Sequence, residues 1–231
     1  MYHHNIVQLQ AVANGLSLLL DEVVFVGGAT VSLYATDPAA TEVRPTDDVD
    51  CVIELASRKE YYALEERLRA MGFRNDTREG APVCRWVYQT ITVDVMPTHP
   101  AILGFSNRWY EDGIKEAIWH QLPDRQSVRI FTPPYFVASK LEAFRNRGQK
   151  DIRTSTDFED IIYLLDSRPS LAAEIQAASP KVRRYIQDQC NILLNSADTD
   201  EGIACALPYG SGEGRVRIIK AIIQRMANFA G

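Results

Sequence analysis

Three aspartates stand where a strand pattern could bring them within reach of one another. Asp48 and Asp50 lie one residue apart at the start of DVDCVIEL, and Asp94 lies inside ITVDVMP. Successive side chains on a strand point to opposite faces. Asp48 and Asp50 therefore share one face, while Val49, Cys51, Ile53 and Leu55 take the other. In residues 91–97 the same alternation sets Thr92, Asp94 and Met96 against Ile91, Val93 and Val95. Aspartate is a poor strand former, so a chemical reason for its placement is worth weighing. Two carboxylates a few ångströms apart repel, and one pKa rises unless a cation lies between them. Magnesium, which takes hard oxygen ligands, is the usual cation for such a pair. If the two strands are neighbours, Asp94 completes a cluster able to hold two metal ions of the kind used in phosphoryl transfer. Plainer alternatives stand beside this. Asp47-Asp48 could close a turn after Pro45, and Asp94 could face solvent from an edge strand.

The elements around these acids sharpen the pattern. VVFVG (23–27) reads as a buried strand ended by glycine, and ATVSLYA (29–35) as a short helix. Gly27-Gly28 lies between them. Glycine lets backbone approach a ligand, and a helix N-terminus offers N–H groups to a phosphate; a tight turn with no ligand would use the same residues. Residues 36–46, with Pro38 and Pro45, form a loop. The order is strand, Gly-Gly, helix, loop, Asp-x-Asp strand and a mid-strand Asp about forty residues on, which is more specific than any one part.

Helical spacing covers 6–20 and 58–72, the latter stopped by Gly72. Residues 82–89 and 91–97 read as strands, IKEAIWHQL (114–122) as a short helix and SVRIFT as a last strand. Beyond Thr132 the chain reads as helices alone. Thr132 is a plausible N-cap, Pro133 opens the first turn and Gly148 is a stop. TDFE (156–159) has the form of a capping box, and later helices are expected over 170–177, 180–195 and 213–229. These readings divide the chain into an α/β or α+β domain over residues 1–131 and a helical domain over 132–231.

The 231 residues, 46% hydrophobic and 24% charged, are ordinary for a globular protein and carry a net charge of −5. That balance argues against non-specific coating of nucleic acid. A local basic patch of Arg145, Arg147, Lys150 and Arg153 is a candidate contact, or a solvated helix end. No stretch has the ~20 apolar residues of a membrane span, and MYHHNIVQLQ lacks a signal-peptide pattern. Cytoplasmic location is the default expectation. Cys51, Cys84, Cys190 and Cys205 form no CxxC pair, so reduced thiols are expected. His3 and His4 are expected at a frayed terminus. Tyr61, Tyr62, Trp86 and Trp109 could stack a base, but aromatics at this spacing are more often core.

Taken together, Gly27-Gly28, RPTDDVD (44–50) and VDV (93–95) resemble the polymerase-β-type nucleotidyltransferase superfamily, in particular the AbiEii type of abortive-infection and toxin–antitoxin systems. SKLEAFRNRGQKD (139–151) and STDFEDIIYLLD (155–166) add to the likeness. The resemblance implies a nucleotidyltransferase-fold domain, a mixed sheet flanked by helices, followed by a helical domain that closes the cleft and contacts the acceptor. It implies that Asp48, Asp50 and Asp94 ligate magnesium or manganese, with Asp94 also able to activate the attacking hydroxyl. Gly27, Gly28, Arg44, Thr46 and Lys140 would meet a nucleoside triphosphate. Asp157 and Asp160 would orient Lys140 or the acceptor. The acceptor would be RNA, particularly tRNA, with an antitoxin protein as a possible partner. The branch differs from many members in having Gly-Gly where Gly-Ser is common. A small-molecule acceptor would call for an acidic pocket, and a non-catalytic sensor of the same fold is the rival from another class. From the residues alone, Lys140 sits at the margin of the stripe Val137, Leu141, Phe144, where it either snorkels to water or points into a cleft.

Overall fold

The computed structural model describes residues 4–148 and 151–229. His3 and Lys150 lie outside these. The chain is α+β, a mixed sheet with helices followed by a helical region, as expected. It divides into two compact units, Met1–Thr30 with Arg44–Thr132, and Val31–Val43 with Pro133–Gly231.

The first unit is built on a sheet that has seven strands among the described residues: β1 (Val23–Val26), β2 (Asp48–Ile53), β3 (Arg74–Asn75), β4 (Arg85–Tyr88), β5 (Ile91–Pro97), β6 (Ile118–Gln121) and β7 (Ser127–Ile130). Their order is β3-β4-β5-β2-β1-β7-β6. β2 runs parallel to β5 and antiparallel to β1, and β4 is antiparallel to β5. Val49, Cys51, Val93, Val95 and Trp86 are fully buried or nearly so. Period-2 alternation therefore gives the sheet an apolar face and leaves the acids on the other. Helix α1 (His4–Gly15) packs on β2 and β5, and Arg69 of α2 (Arg58–Ala70) lies over the Trp86 ring. Ser57 caps α2 by accepting from the Glu60 N–H. Two short helices follow β5, α3 (Pro100–Leu103) and α4 (Tyr110–Lys115).

The second unit has α5 (Pro133–Ala143) at its centre, nearly all buried, running into a π-helical turn over Phe144–Gly148. Helices α6 (Thr156–Ser167), α7 (Leu171–Ala177) and α8 (Pro180–Leu194) pack on it, and α9 (Thr199–Ala206) and α10 (Gly212–Ala227) pack on these. Residues 31–43 join this unit through specific contacts. The Tyr34 ring lies tilted against Phe136 with centroids 4.5 Å apart, and the Thr36 and Asp37 N–H groups donate to the Ser167 carbonyl.

Several elements differ from their sequence pattern. The apolar spacing of 6–20 outlasts the helix, which stops at Gly15, where a Cβ would come within 2.6 Å of the Tyr88 ring. His4, expected to fray, opens α1. The short helix expected over 29–35 is present as a 3₁₀ helix over Gly28–Tyr34. IKEAIWHQL splits: helix α4 ends at Lys115, and Ile118–Gln121 pair with β7 across a turn in which Arg125 adopts φ 72°. Pairing of a β-branched and aromatic segment with a neighbour outweighs local helical spacing. The cap of α6 is Ser155, not Thr156, since the Ser155 hydroxyl accepts from the Phe158 N–H at 3.3 Å. The loop before β2 is tied to α1 by Asn5, which is fully buried. Its amide donates to the Arg44 carbonyl and accepts from the Thr46 N–H, both at 3.0 Å. Asn5→Ala removes both partners' bonds and is expected to cost about 1–3 kcal/mol; a melting temperature equal to the parent's would refute the clamp.

Candidate active site

The register of the central strands decides which acids meet. Asp50 of β2 stands opposite Asp94 of β5, and on its other side opposite Val26, the last residue of β1. Asp48 stands opposite Thr92. One carboxylate oxygen from each of Asp48, Asp50 and Asp94 lies within 4.8 Å of the others. β5 is an interior strand, and Asp94 is buried with 7% of its surface exposed, whereas Asp48 and Asp50 are half-buried. The edge-strand alternative for Asp94 therefore does not hold.

Gly27 borders this cluster directly. Its φ is +74°, and a Cβ there would lie 1.9 Å from the Asp50 Oδ2. Both the backbone conformation and the carboxylate demand glycine. After it, the Thr30 N–H and hydroxyl both donate to the Gly27 carbonyl, which starts the 3₁₀ turn. Gly27→Ala is expected to push the Asp50 carboxylate aside and cost about 1–2 kcal/mol in backbone strain. Calorimetric titration with magnesium should show a weaker site, and unchanged affinity would refute the coupling.

Thr46 belongs to the approach to β2: its hydroxyl donates to the Asp48 carbonyl at 3.1 Å, and with Asn5 it sets where the strand begins. Arg44, half-buried, shares the Asn5 clamp through its carbonyl.

One residue that the sequence reading passed over borders the cluster on the β4 side. Arg85 of β4 stands opposite Asp94. Its Nε donates to Asp94 Oδ1 at 2.8 Å and its Nη2 to Asp94 Oδ2 at 2.7 Å, with Asp48 Oδ2 at 3.4 Å. These bonds, with the charges of Asp94 and Asp48, hold the guanidinium above its ordinary pKa against the pull of burial. The triad's charge is also felt through the sheet. Burial, then the Asp50 and Asp94 charges, push the Cys51 thiol well up, and burial followed by Asp94 pushes Cys84 up to about 12. Both are protonated thiols. The available signal for Arg85 was the alternation of β4, which sets it on the face away from buried Trp86.

On the same face a row runs outward from Asp48 through Thr92 and Val87 to Arg74. Arg74, Val87 and Thr92, with Thr90 and Arg78, line a cavity of about 460 Å³. Arg78 pairs with Asp76 and reaches the Thr92 hydroxyl at 3.5 Å.

Lys140, Asp157 and Asp160 fall in the second unit. Lys140 is buried, its Nζ 3.2 Å from Asp157 Oδ1 and 2.6 Å from Asp160 Oδ2. Arg147 also pairs with Asp157, at 3.1 Å. Lys140 thus does not snorkel to water; two buried acids hold it. In the basic patch, Arg145 meets Glu142, and Arg153 meets Asp151 and Glu201. Each described arginine there has an acidic partner. Tyr61, Trp86 and Trp109 are core, while Tyr62 is exposed.

Compared with known proteins, the chain matches no family model, and no curated protein is significantly similar. Solved structures do show a likeness. A candidate nucleotidyltransferase from H. pylori is similar over 98% of this chain and 96% of its own, at 11% identity and a TM-score of 0.48. At that identity the triad's geometry, not the likeness, bears on chemistry. The donor set fits a divalent cation of the magnesium class: all carboxylate oxygens, on one half-open face. No helix is long and apolar enough to cross a membrane among the described residues.

Proposed function

We propose that the chain is a divalent-metal-dependent nucleotidyltransferase with the polymerase-β-type fold. The observation that carries this is the convergence of Asp48, Asp50 and Asp94 on one sheet face, with Gly27 leaving room for the Asp50 carboxylate. The reading assigns these three as ligands of magnesium or manganese, which when bound neutralises the phosphates and the developing charge of transfer. Asp94 either completes that ligand set or takes the proton of the acceptor hydroxyl. The acceptor oxygen bonds to the α-phosphorus of a nucleoside triphosphate, the bond to the bridging oxygen breaks, and pyrophosphate leaves. Gly27 and Gly28 lie at the end of β1, on the Asp50 side, and are assigned to the triphosphate. Arg44 and Thr46 are assigned to the same substrate through the loop that Asn5 fixes.

In-line transfer places the acceptor on the opposite side of the reacting phosphorus from the leaving group. With the triphosphate on the β1 side, the acceptor falls on the β4 side, toward the cavity that carries Arg74 and Arg78. Exposed arginines beside a transfer site suit a phosphate-bearing acceptor. That supports RNA over a small cationic molecule, while tRNA within it rests on the family resemblance. The toxin role and an antitoxin partner belong to the same proposal and rest on the family resemblance alone.

A second reading, a non-catalytic nucleotide-binding module, draws on the Arg85 bridge, since a guanidinium already engages both oxygens of Asp94. Incubation with each α-labelled nucleoside triphosphate, magnesium and total tRNA separates the two. Label on RNA with one triphosphate supports the transferase. Triphosphate binding without label on RNA, on the protein or on a small-molecule panel supports the sensor.

A further inference from the structure

We infer that Arg85 is a resident counter-cation of the Asp48–Asp50–Asp94 cluster and sets how tightly the cluster binds a divalent ion. The inference rests on the metal-site reading above and goes beyond it. Arg85 is placed by the sheet itself, at the register position opposite Asp94 and on the triad's face. Its two hydrogen bonds to Asp94 form the bidentate fork that gives arginine its hold on carboxylates. Its Nη2 also lies 3.4 Å from Asp48, so the one guanidinium spans two of the three acids. The side chain is 27% exposed and Asp94's is 11% exposed, so water screens the pair only partly. Three carboxylates this close repel one another. Arg85 offsets part of that repulsion and, through its two bonds, fixes the orientation of Asp94. A divalent ion ligated by Asp94 must then share that carboxylate with a fixed positive charge. Arg85 therefore lowers divalent affinity while it preserves the geometry that the ion uses. It is a positioning residue, acting through Asp94 and Asp48.

The test is calorimetric titration of the full chain with magnesium and with manganese, after chelator treatment, for the parent, R85Q and R85K. Thermal unfolding in chelator and in magnesium runs beside it. R85Q is expected to bind the ion about tenfold more tightly or better, the scale on which one neighbouring charge moves a partly exposed ionic equilibrium. R85Q should also melt lower than the parent in chelator, with magnesium restoring more of its stability than it adds to the parent. R85K, which keeps the charge, should stay within about threefold of the parent's affinity. Binding by R85Q that is equal to or weaker than the parent's overturns the role of Arg85 and leaves the metal site standing. Failure of all three proteins to bind either ion overturns the inference and the metal-site reading together.

Discussion

Asp50→Asn is expected to lower nucleotidyl transfer by about a thousandfold or more, because several kilocalories of transition-state stabilisation pass through a bound metal. Asp50 is the acid at the centre of the cluster. It stands between Asp94 on β5 and Val26 on β1, and Gly27 is shaped around its carboxylate. Asparagine keeps the shape and removes the charge. The residue is half-buried, so the fold should survive with melting within a few degrees of the parent's. The measurement is label transfer to RNA, paired with magnesium titration of the same variant. Transfer within tenfold of the parent would remove Asp50 from the metal set and point away from this chemistry. Loss of transfer together with loss of ion binding, in a protein that still melts cooperatively, is the outcome that the proposed metal site predicts.

Lys140→Met is expected to destabilise the helical unit by about 3–5 kcal/mol, the cost of stripping the partner from a buried ion pair. The lysine ammonium lies between Asp157 and Asp160, both nearly inaccessible to solvent. Removing it leaves two buried carboxylates, with Arg147 still paired to Asp157. At roughly 2–4 °C per kcal/mol for a chain of this size, melting should fall by on the order of 10 °C. The triple variant K140M/D157N/D160N removes the stranded charges with the lysine and should recover part of the loss. A single variant that melts with the parent would show the network to be marginal. Assayed below its melting transition, K140M also tests the part that the family resemblance assigns to Lys140 at the triphosphate. Undiminished transfer there limits the lysine to holding the helical unit.

The acids of the cluster were legible because strand alternation is a local rule. DVDCVIEL and ITVDVMP each state, by period 2, which side chains share a face, and the apolar side of each is buried as the pattern says. The Gly27-Gly28 break was legible for a similar reason, since a glycine pair between strand and helix has few purposes. Local patterns misled where a partner far along the chain set the outcome. Ile118–Gln121 joined β7 as a strand although the residues before them follow helical spacing. The apolar stripe of α1 continued past Gly15, but the helix ends there, where the chain packs against the Tyr88 ring.

By itself, then, the sequence determined most of the order of elements, the face of its strand on which each acid lies and a glycine break after the first strand. All of these follow from backbone periodicity and from conformational limits carried by single residues. Only the tertiary structure decided that β2 and β5 are neighbours in the register that sets Asp50 against Asp94. Only it placed Arg85 between Asp94 and Asp48, Asn5 across the loop before β2, and Lys140 between two buried acids. Strand order and register depend on which apolar faces find each other across the folded chain. That information is spread over the whole core and is written in no single segment.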